Sequence, residues 1–167
     1  PYSGEKINTG DCQIEFFVPS VNKNDVYKYA SLMVRVQIYD KIFLFAAGVK
    51  TEEQQEIIEQ GFDLKADVLK MGFWLSENEL SIDFLKHVLP KYTFLSVGDY
   101  PYDFKEIEKN TDYINTQMFR TDEIGDVIVR HGADGIELYN NKNSIRKEWK
   151  KLFSEDKIIY ENLSGLT

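Results

Sequence analysis

The residue types that most often carry enzyme chemistry come together in one short run of the C-terminal third. His131, Asp134 and Glu137 lie three residues apart, and on a helix such residues could hold a metal ion. Gly132 and Gly135 interrupt the run and instead favour a helix stop followed by a tight entry into a strand. The three residues are therefore not expected to share one helix face, and we expect no metal site and no cofactor.

The other candidate nucleophiles and bases have simpler explanations. Cys12 is the only cysteine and alternates with Ile14 and Phe16, so we expect it to pack in the core as a small apolar residue. His87 falls on a predicted helix, and His131 at a predicted helix C-terminus gains favourable dipole energy without any catalytic role. The sequence contains no glycine-rich phosphate loop, no Gly-x-Ser-x-Gly elbow and no His-Glu-x-x-His motif. We therefore assign no catalytic residue and lean against an enzyme.

Carboxylates form the most distinctive pattern. Glu52, Glu53, Glu56 and Glu59 share one face of a predicted helix, and no lysine balances them within residues 51–60. Such a face is either simply solvated or a docking surface, where its charges would speed association with a basic partner.

A second acidic segment interleaves aspartates with tyrosines between Gly98 and Phe104. This mixture is typical of protein interfaces, because tyrosine offers a large contact area. A surface loop whose tyrosines pack down explains it equally well. Together the two segments give eight candidate partner-binding residues: Glu52, Glu53, Glu56, Glu59, Asp99, Tyr100, Tyr102 and Asp103.

Composition limits the classes of partner. The chain has 167 residues and a net charge of −8, which argues against nucleic acids and anionic membranes and permits a basic protein. A single cysteine excludes an internal disulfide and suits a reducing compartment. No apolar run approaches the roughly 18 residues of a membrane span. We therefore expect a soluble cytoplasmic protein; the sequence leaves its oligomeric state open.

Periodicity places these residues on secondary structure. Alternation predicts a strand at residues 12–18 and a hairpin within residues 33–49, whose second strand is buried on both faces and hence central. Capping boxes predict helices at 51–60 and 77–89. The remaining segments are read as helices at 64–71, 121–130 and 143–153, strands at 93–97, 136–139 and 157–160, and an ambiguous stretch at 105–119.

Strands and helices mix without strict alternation in this order. The sequence therefore predicts an α+β fold: a mostly antiparallel sheet of about five or six strands, with helices packed on one face, in a single domain over residues 1–167.

Three functions remain open at this point. The first is a non-catalytic acidic binding protein, an inhibitor or immunity-type protein that masks a basic toxin or nuclease. The second is a small enzyme, a hydrolase or transferase, with dispersed site residues around His131, Asp134 and Glu137 and also Arg120. The third is a structural or regulatory subunit whose apolar surface completes an oligomer.

Overall fold

The chain forms two compact units, Pro1–Phe119 and Arg120–Thr167. A computed structural model describes residues 1–19, 31–72, 80–98, 103–132, 135–140, 149–153 and 162–163. The predicted single domain over residues 1–167 stays a prediction. In the described part of the chain, no helix is long and apolar enough to cross a membrane.

The first unit is built on a seven-stranded sheet whose spatial order follows the chain. Its strands are β1 Lys6–Thr9, β2 Cys12–Phe17, β3 Met33–Ile38, β4 Lys41–Ala47, β5 Val68–Met71, β6 Tyr92–Leu95 and β7 Gln117–Arg120. Strands β1 to β4 pair antiparallel, whereas β4–β5 and β5–β6 pair parallel.

The α+β class holds, but the predicted sheet is wrong. The sheet is mixed rather than mostly antiparallel, it has seven strands rather than five or six, and a second, four-stranded sheet accompanies it among the described residues. The physical reason lies in the connections. A helix between two strands lets the second strand return in the same direction, which a short hairpin turn cannot do.

Three short helices provide these connections: α1 Thr51–Glu59, α2 Ile82–Val88 and α3 Lys105–Tyr113. Their buried side chains, including Ile57, Phe84 and Ile107, join one apolar cluster with Leu44 of β4 and Leu69 of β5. Leu44 and Leu69 are register partners, and paired residues point to the same side of a sheet. This side, which we call the helix side, holds the core of the first unit.

The second unit begins with one helical turn, α4 Thr121–Ile124, and continues as an antiparallel sheet of β8 Val127–Gly132, β9 Gly135–Asn140, β10 Trp149–Phe153 and β11 Asn162–Leu163. The predicted helix at 121–130 occurs only as α4; it ends because Gly125 takes φ 79° and ψ −158°, outside the helical region, and β8 occupies the rest. The predicted helix at 143–153 is wrong over β10, and its first part lies outside the described residues.

Two helix predictions in the first unit need correction. The predicted helix at 64–71 is wrong, since β5 occupies its second half. The helix predicted from Glu77 begins only at Ile82, after the N-cap Ser81. The capping box predicted at residues 76–79 and the strand proposed at 73–75 lie outside the described residues. The first capping box is shifted by one residue: the backbone N–H of Lys50 donates to Glu53 Oε2 over 2.8 Å.

Candidate functional site

The sheet of the second unit does not bring His131 and Glu137 together. Arg130 pairs with Glu137 across the β8–β9 ladder, and His131 pairs with Ile136. Successive residues of a strand point to opposite faces, and paired residues share a face. His131 and Glu137 therefore lie on opposite faces of the hairpin. Asp134 lies outside the described residues.

Two of the candidate residues, Arg120 and Glu137, have local partners. Arg120 Nη2 lies 2.7 Å from Asp122 Oδ2, and its Nη1 lies 3.2 Å from Glu123 Oε1. Glu137 accepts a hydrogen bond of 2.8 Å from the Tyr139 hydroxyl. In the described part of the chain, no three His, Cys, Asp or Glu residues are placed to hold a metal ion.

The four glutamates of α1 divide into one capping residue and three outward charges. Glu53 caps the backbone of Lys50, as described above. Glu52 and Glu59 are exposed, and Glu56 is partly exposed. The acidic face predicted for this helix is therefore present, with Glu53 serving the helix start.

The three helices of the first unit extend this charge into a layer. Helix α1 contacts α2, and α2 contacts α3. Together they carry eight carboxylates against three lysines, a net charge of −5 out of −8 for the whole chain. We call the outward surface of these helices the acidic helix layer. Its carboxylates are Glu52, Glu53, Glu56, Glu59, Asp83, Glu106, Glu108 and Asp112.

The second acidic segment is described only at its end. Asp103 accepts a backbone hydrogen bond from Lys105 over 3.1 Å, and its other oxygen lies 3.1 Å from Lys105 Nζ. These two hydrogen bonds hold the pKa of the Asp103 carboxyl below its ordinary value. Asp103 thus fixes the start of α3. Asp99, Tyr100 and Tyr102 lie outside the described residues.

A cavity of about 460 Å³ opens beside α3 and β7. Glu108 and Asp112, one helical turn apart, line this cavity, and so does Phe119. The remaining lining residues are Thr111, Thr116, Gln117 and Met118. Two carboxylates so close together suit an organic cation, since both attract its charge.

The sheet has a second side, opposite to the helices, whose role the sequence did not indicate. The register aligns Ile14, Val36 and Phe43 in one row, and Phe16, Val34 and Phe45 in the next. We call this the open sheet face. Its apolar residues are Ile7, Cys12, Ile14, Phe16, Val34, Val36, Ile38, Phe43 and Phe45.

The open sheet face is apolar and yet accessible. Phe45 and Ile7 are each 44% exposed, and the other residues that define the face are partly exposed. Cys12 was expected in the core, but it is partly exposed here, away from the helices. Strand β4 is central in the sheet order, as predicted, yet Phe45 shows that it is not buried on both faces.

On the helix side, the same strands bury charge. Glu15 and Arg35 are register partners with only 6% and 8% of their surface exposed. Arg35 Nη1 lies 3.7 Å from Glu15 Oε2, and Lys6 Nζ lies 3.3 Å from Glu15 Oε1. Arg35 Nε also donates to the Lys65 carbonyl over 3.3 Å. The helix side of β2 and β3 thus holds this ion pair together with the fully buried Phe17 and Met33.

A lysine borders the open sheet face. Lys70 of β5 lies in register between Phe45 and Phe94, and Phe94 stacks on Phe119 with ring centroids 5.2 Å apart. Partial burial lowers the pKa of the Lys70 ammonium from its ordinary value. The residues that define the face include no carboxylate, and within the described chain Lys70 has no ion-pair partner.

Comparisons with known proteins add little to this geometry. No protein-family model matches the chain, and no curated protein matches it. Among solved structures, the chain is similar to a protein of Parabacteroides distasonis ATCC 8503 that is named as an inferred metal-dependent hydrolase, with 12% identity and a TM-score of 0.49. The match covers 71% of this chain and 55% of that one, so the chain spans about half of its length. A likeness at this level shows neither the fold nor the function of this chain.

Proposed function

We propose that this protein is a non-catalytic acidic binding protein of the inhibitor or immunity type, acting in the cytoplasm. It would mask a basic toxin or nuclease by covering it with the acidic helix layer. The observation that carries the proposal is the concentration of charge: α1, α2 and α3 hold a net −5 of the chain's −8 in one layer.

The charges of this layer act together. Packed helices lie roughly 8–10 Å apart, and the Debye length at 0.1 M salt is about 10 Å. Carboxylates on neighbouring helices therefore contribute to one field at moderate salt. Such a field raises the association rate with a cationic protein and orients the encounter.

The cavity beside α3 supplies a place for one anchoring side chain. An arginine of the partner could reach Glu108 and Asp112 with its guanidinium. Arginine is enriched among the residues that dominate interface energies. The layer would thus steer the partner, and the cavity would fix its position.

The geometry favours this function over an enzyme, because His131 and Glu137 lie on opposite faces of their hairpin. The open sheet face favours a second candidate function, a structural or regulatory subunit, since large accessible apolar patches commonly mark contact surfaces.

The test is titration against two probes, the product of the adjacent gene and lysozyme as a generic basic protein. The variant Glu52→Gln/Glu59→Gln removes two exposed charges from the layer. Its matched control, Asp11→Asn/Asp40→Asn, removes two exposed charges from turns of the sheet. We expect roughly tenfold weaker binding of the adjacent product by the first variant at 50 mM salt, about 0.7 kcal/mol per charge, and less than twofold change for the control.

Salt dependence provides the second readout. At 1 M salt the Debye length falls to about 3 Å, so the difference between variant and wild type should nearly vanish. Three results would overturn the proposal. The first is a basic product of the adjacent gene that binds with a Kd above roughly 1 μM. The second is a Kd for lysozyme equal to that for the adjacent gene product, and the third is an equal loss of affinity in the variant and in its control.

A further inference from the structure

Strands β2 and β3 carry apolar side chains on both sides of the sheet. On the helix side, Phe17 and Met33 are fully buried in the core beside the buried Glu15. On the other side, Ile14 and Phe16 are only partly buried. An apolar side of a sheet is normally covered. The open sheet face therefore calls for a second layer.

The charge on this face indicates what kind of layer fits. Its charged residues are Lys41 and Lys70, in a chain whose net charge is −8. Lys41 lies 3.4 Å from the Asp40 carboxylate. Lys70 lies between Phe45 and Phe94 without an ion-pair partner in the described chain. A partly buried cation is stabilised when a covering group brings a carboxylate to it.

The shape of the face and its charge select among occupants. The face ends at Lys70, because Val68, Tyr92 and Phe94, which lie on the same side of β5 and β6, are already buried. Helices cover the other side of this sheet, so a helix layer fits its strands. A second copy of this chain would present an identical face, which brings lysine and no carboxylate toward Lys70. We propose that the open sheet face docks an amphipathic helix of a partner protein, whose apolar stripe carries one acidic residue that pairs with Lys70. This surface is separate from the acidic helix layer and does not depend on it.

The experiment selects, from a library, helices that bind the intact protein. The probe is a displayed library of 18-residue amphipathic helices whose apolar stripe has one randomised central position. We expect the wild-type protein to enrich Asp or Glu at that position and Lys70→Met to lose this preference. A selected helix should bind the wild type about tenfold more tightly than its Gln-substituted form, and the two should bind Lys70→Met equally.

Matched variants locate the binding. Phe45→Thr removes the most exposed aromatic side chain of the face and keeps a strand-forming residue, whereas Tyr113→Thr removes a 73% exposed aromatic from α3. Phe45→Thr should weaken the selected helix at least tenfold, and Tyr113→Thr less than twofold. Cys12, the only cysteine, gives a local readout, because a bound helix should slow its alkylation.

Four outcomes overturn the proposal. In the first, the wild type and Lys70→Met select the same residue at the randomised position; in the second, no helix is enriched. In the third and fourth, the wild type associates with itself or binds vesicles, and Phe45→Thr abolishes that association or binding. Thermal unfolding of each variant confirms that it is folded. The variant Glu52→Gln/Glu59→Gln should leave helix binding unchanged, which separates this test from that of the proposed function.

Discussion

Replacing Glu15 with glutamine tests whether the first unit depends on charge buried beneath its helices. The carboxylate has two cationic neighbours, the buried Arg35 at 3.7 Å and the half-exposed Lys6 at 3.3 Å. Glu15→Gln keeps the shape of the side chain but leaves the Arg35 guanidinium buried with the Lys65 carbonyl as its acceptor. An uncompensated buried charge is strongly unfavourable.

The separation of the charges sets the magnitude. Unit charges 3.7 Å apart interact by about 4.5 kcal/mol at an effective dielectric constant of 20, and by about 1 kcal/mol in water. Since both side chains are more than nine-tenths buried, we expect Glu15→Gln to lower the free energy of unfolding by about 3 kcal/mol. Arg35→Met should cost less, about 1–2 kcal/mol, because Lys6 remains beside the carboxylate.

Urea unfolding followed by circular dichroism at pH 7 measures these changes. The double variant Glu15→Leu/Arg35→Met removes both charges and should return to within about 1 kcal/mol of the wild type. Asp40→Asn is the control, because its carboxylate is 71% exposed, and it should cost less than about 0.5 kcal/mol. A loss below about 0.5 kcal/mol for Glu15→Gln would refute the reasoning, as would a double variant less stable than either single one.

Two further predictions concern buried polar groups. Gln54 is fully buried; its amide donates to the Val49 carbonyl over 3.0 Å, and its Oε1 accepts from the backbone N–H and hydroxyl of Ser81 over 3.1 and 3.0 Å. Gln54→Ala should cost about 2–3 kcal/mol in unfolding experiments, whereas the exposed Gln55→Ala should stay within about 0.5 kcal/mol of wild type; equal losses would contradict this. Lys70 has a lowered pKa in the folded state, so the unfolded chain binds more protons between that pKa and the ordinary value, and wild-type stability should rise with pH through this window. Lys70→Met should abolish the rise; identical pH profiles would argue against a desolvated lysine.

Local elements of this fold were predictable where alternation or capping dominates. Strand β2, the β3–β4 hairpin, α1 and β9 occur close to the predicted bounds. The parallel pairing was not predictable, because long-range contacts determine it. The Asp67 carboxylate accepts from the Ile42 N–H over 2.7 Å, and its carbonyl accepts from Lys91 and Tyr92. These bonds set the start of β5 between β4 and β6, across up to 25 residues of sequence.

The two candidate surfaces also differ in whether the sequence predicts them. The acidic face of α1 follows from helical spacing, which fixes the neighbours of Glu52 within the helix. The open sheet face does not follow from the alternation of Ile14 and Phe16, because alternation defines two sides without saying which one the helices cover. That choice is made by the chain as it crosses from β4 to β5 and from β5 to β6, far from β2 in sequence.

The acidic helix layer and the open sheet face lie on opposite sides of one sheet, and binding at each depends on a different kind of interaction. Binding through the acidic helix layer should be salt-dependent, because exposed charges drive it. Binding through the open sheet face should depend mainly on apolar area, with Lys70 selecting the partner. Changes at Glu52 and at Phe45 are separated by the helix layer and the sheet, so their effects should add. A variant cycle across these positions would therefore show whether the protein holds two partners independently or only one.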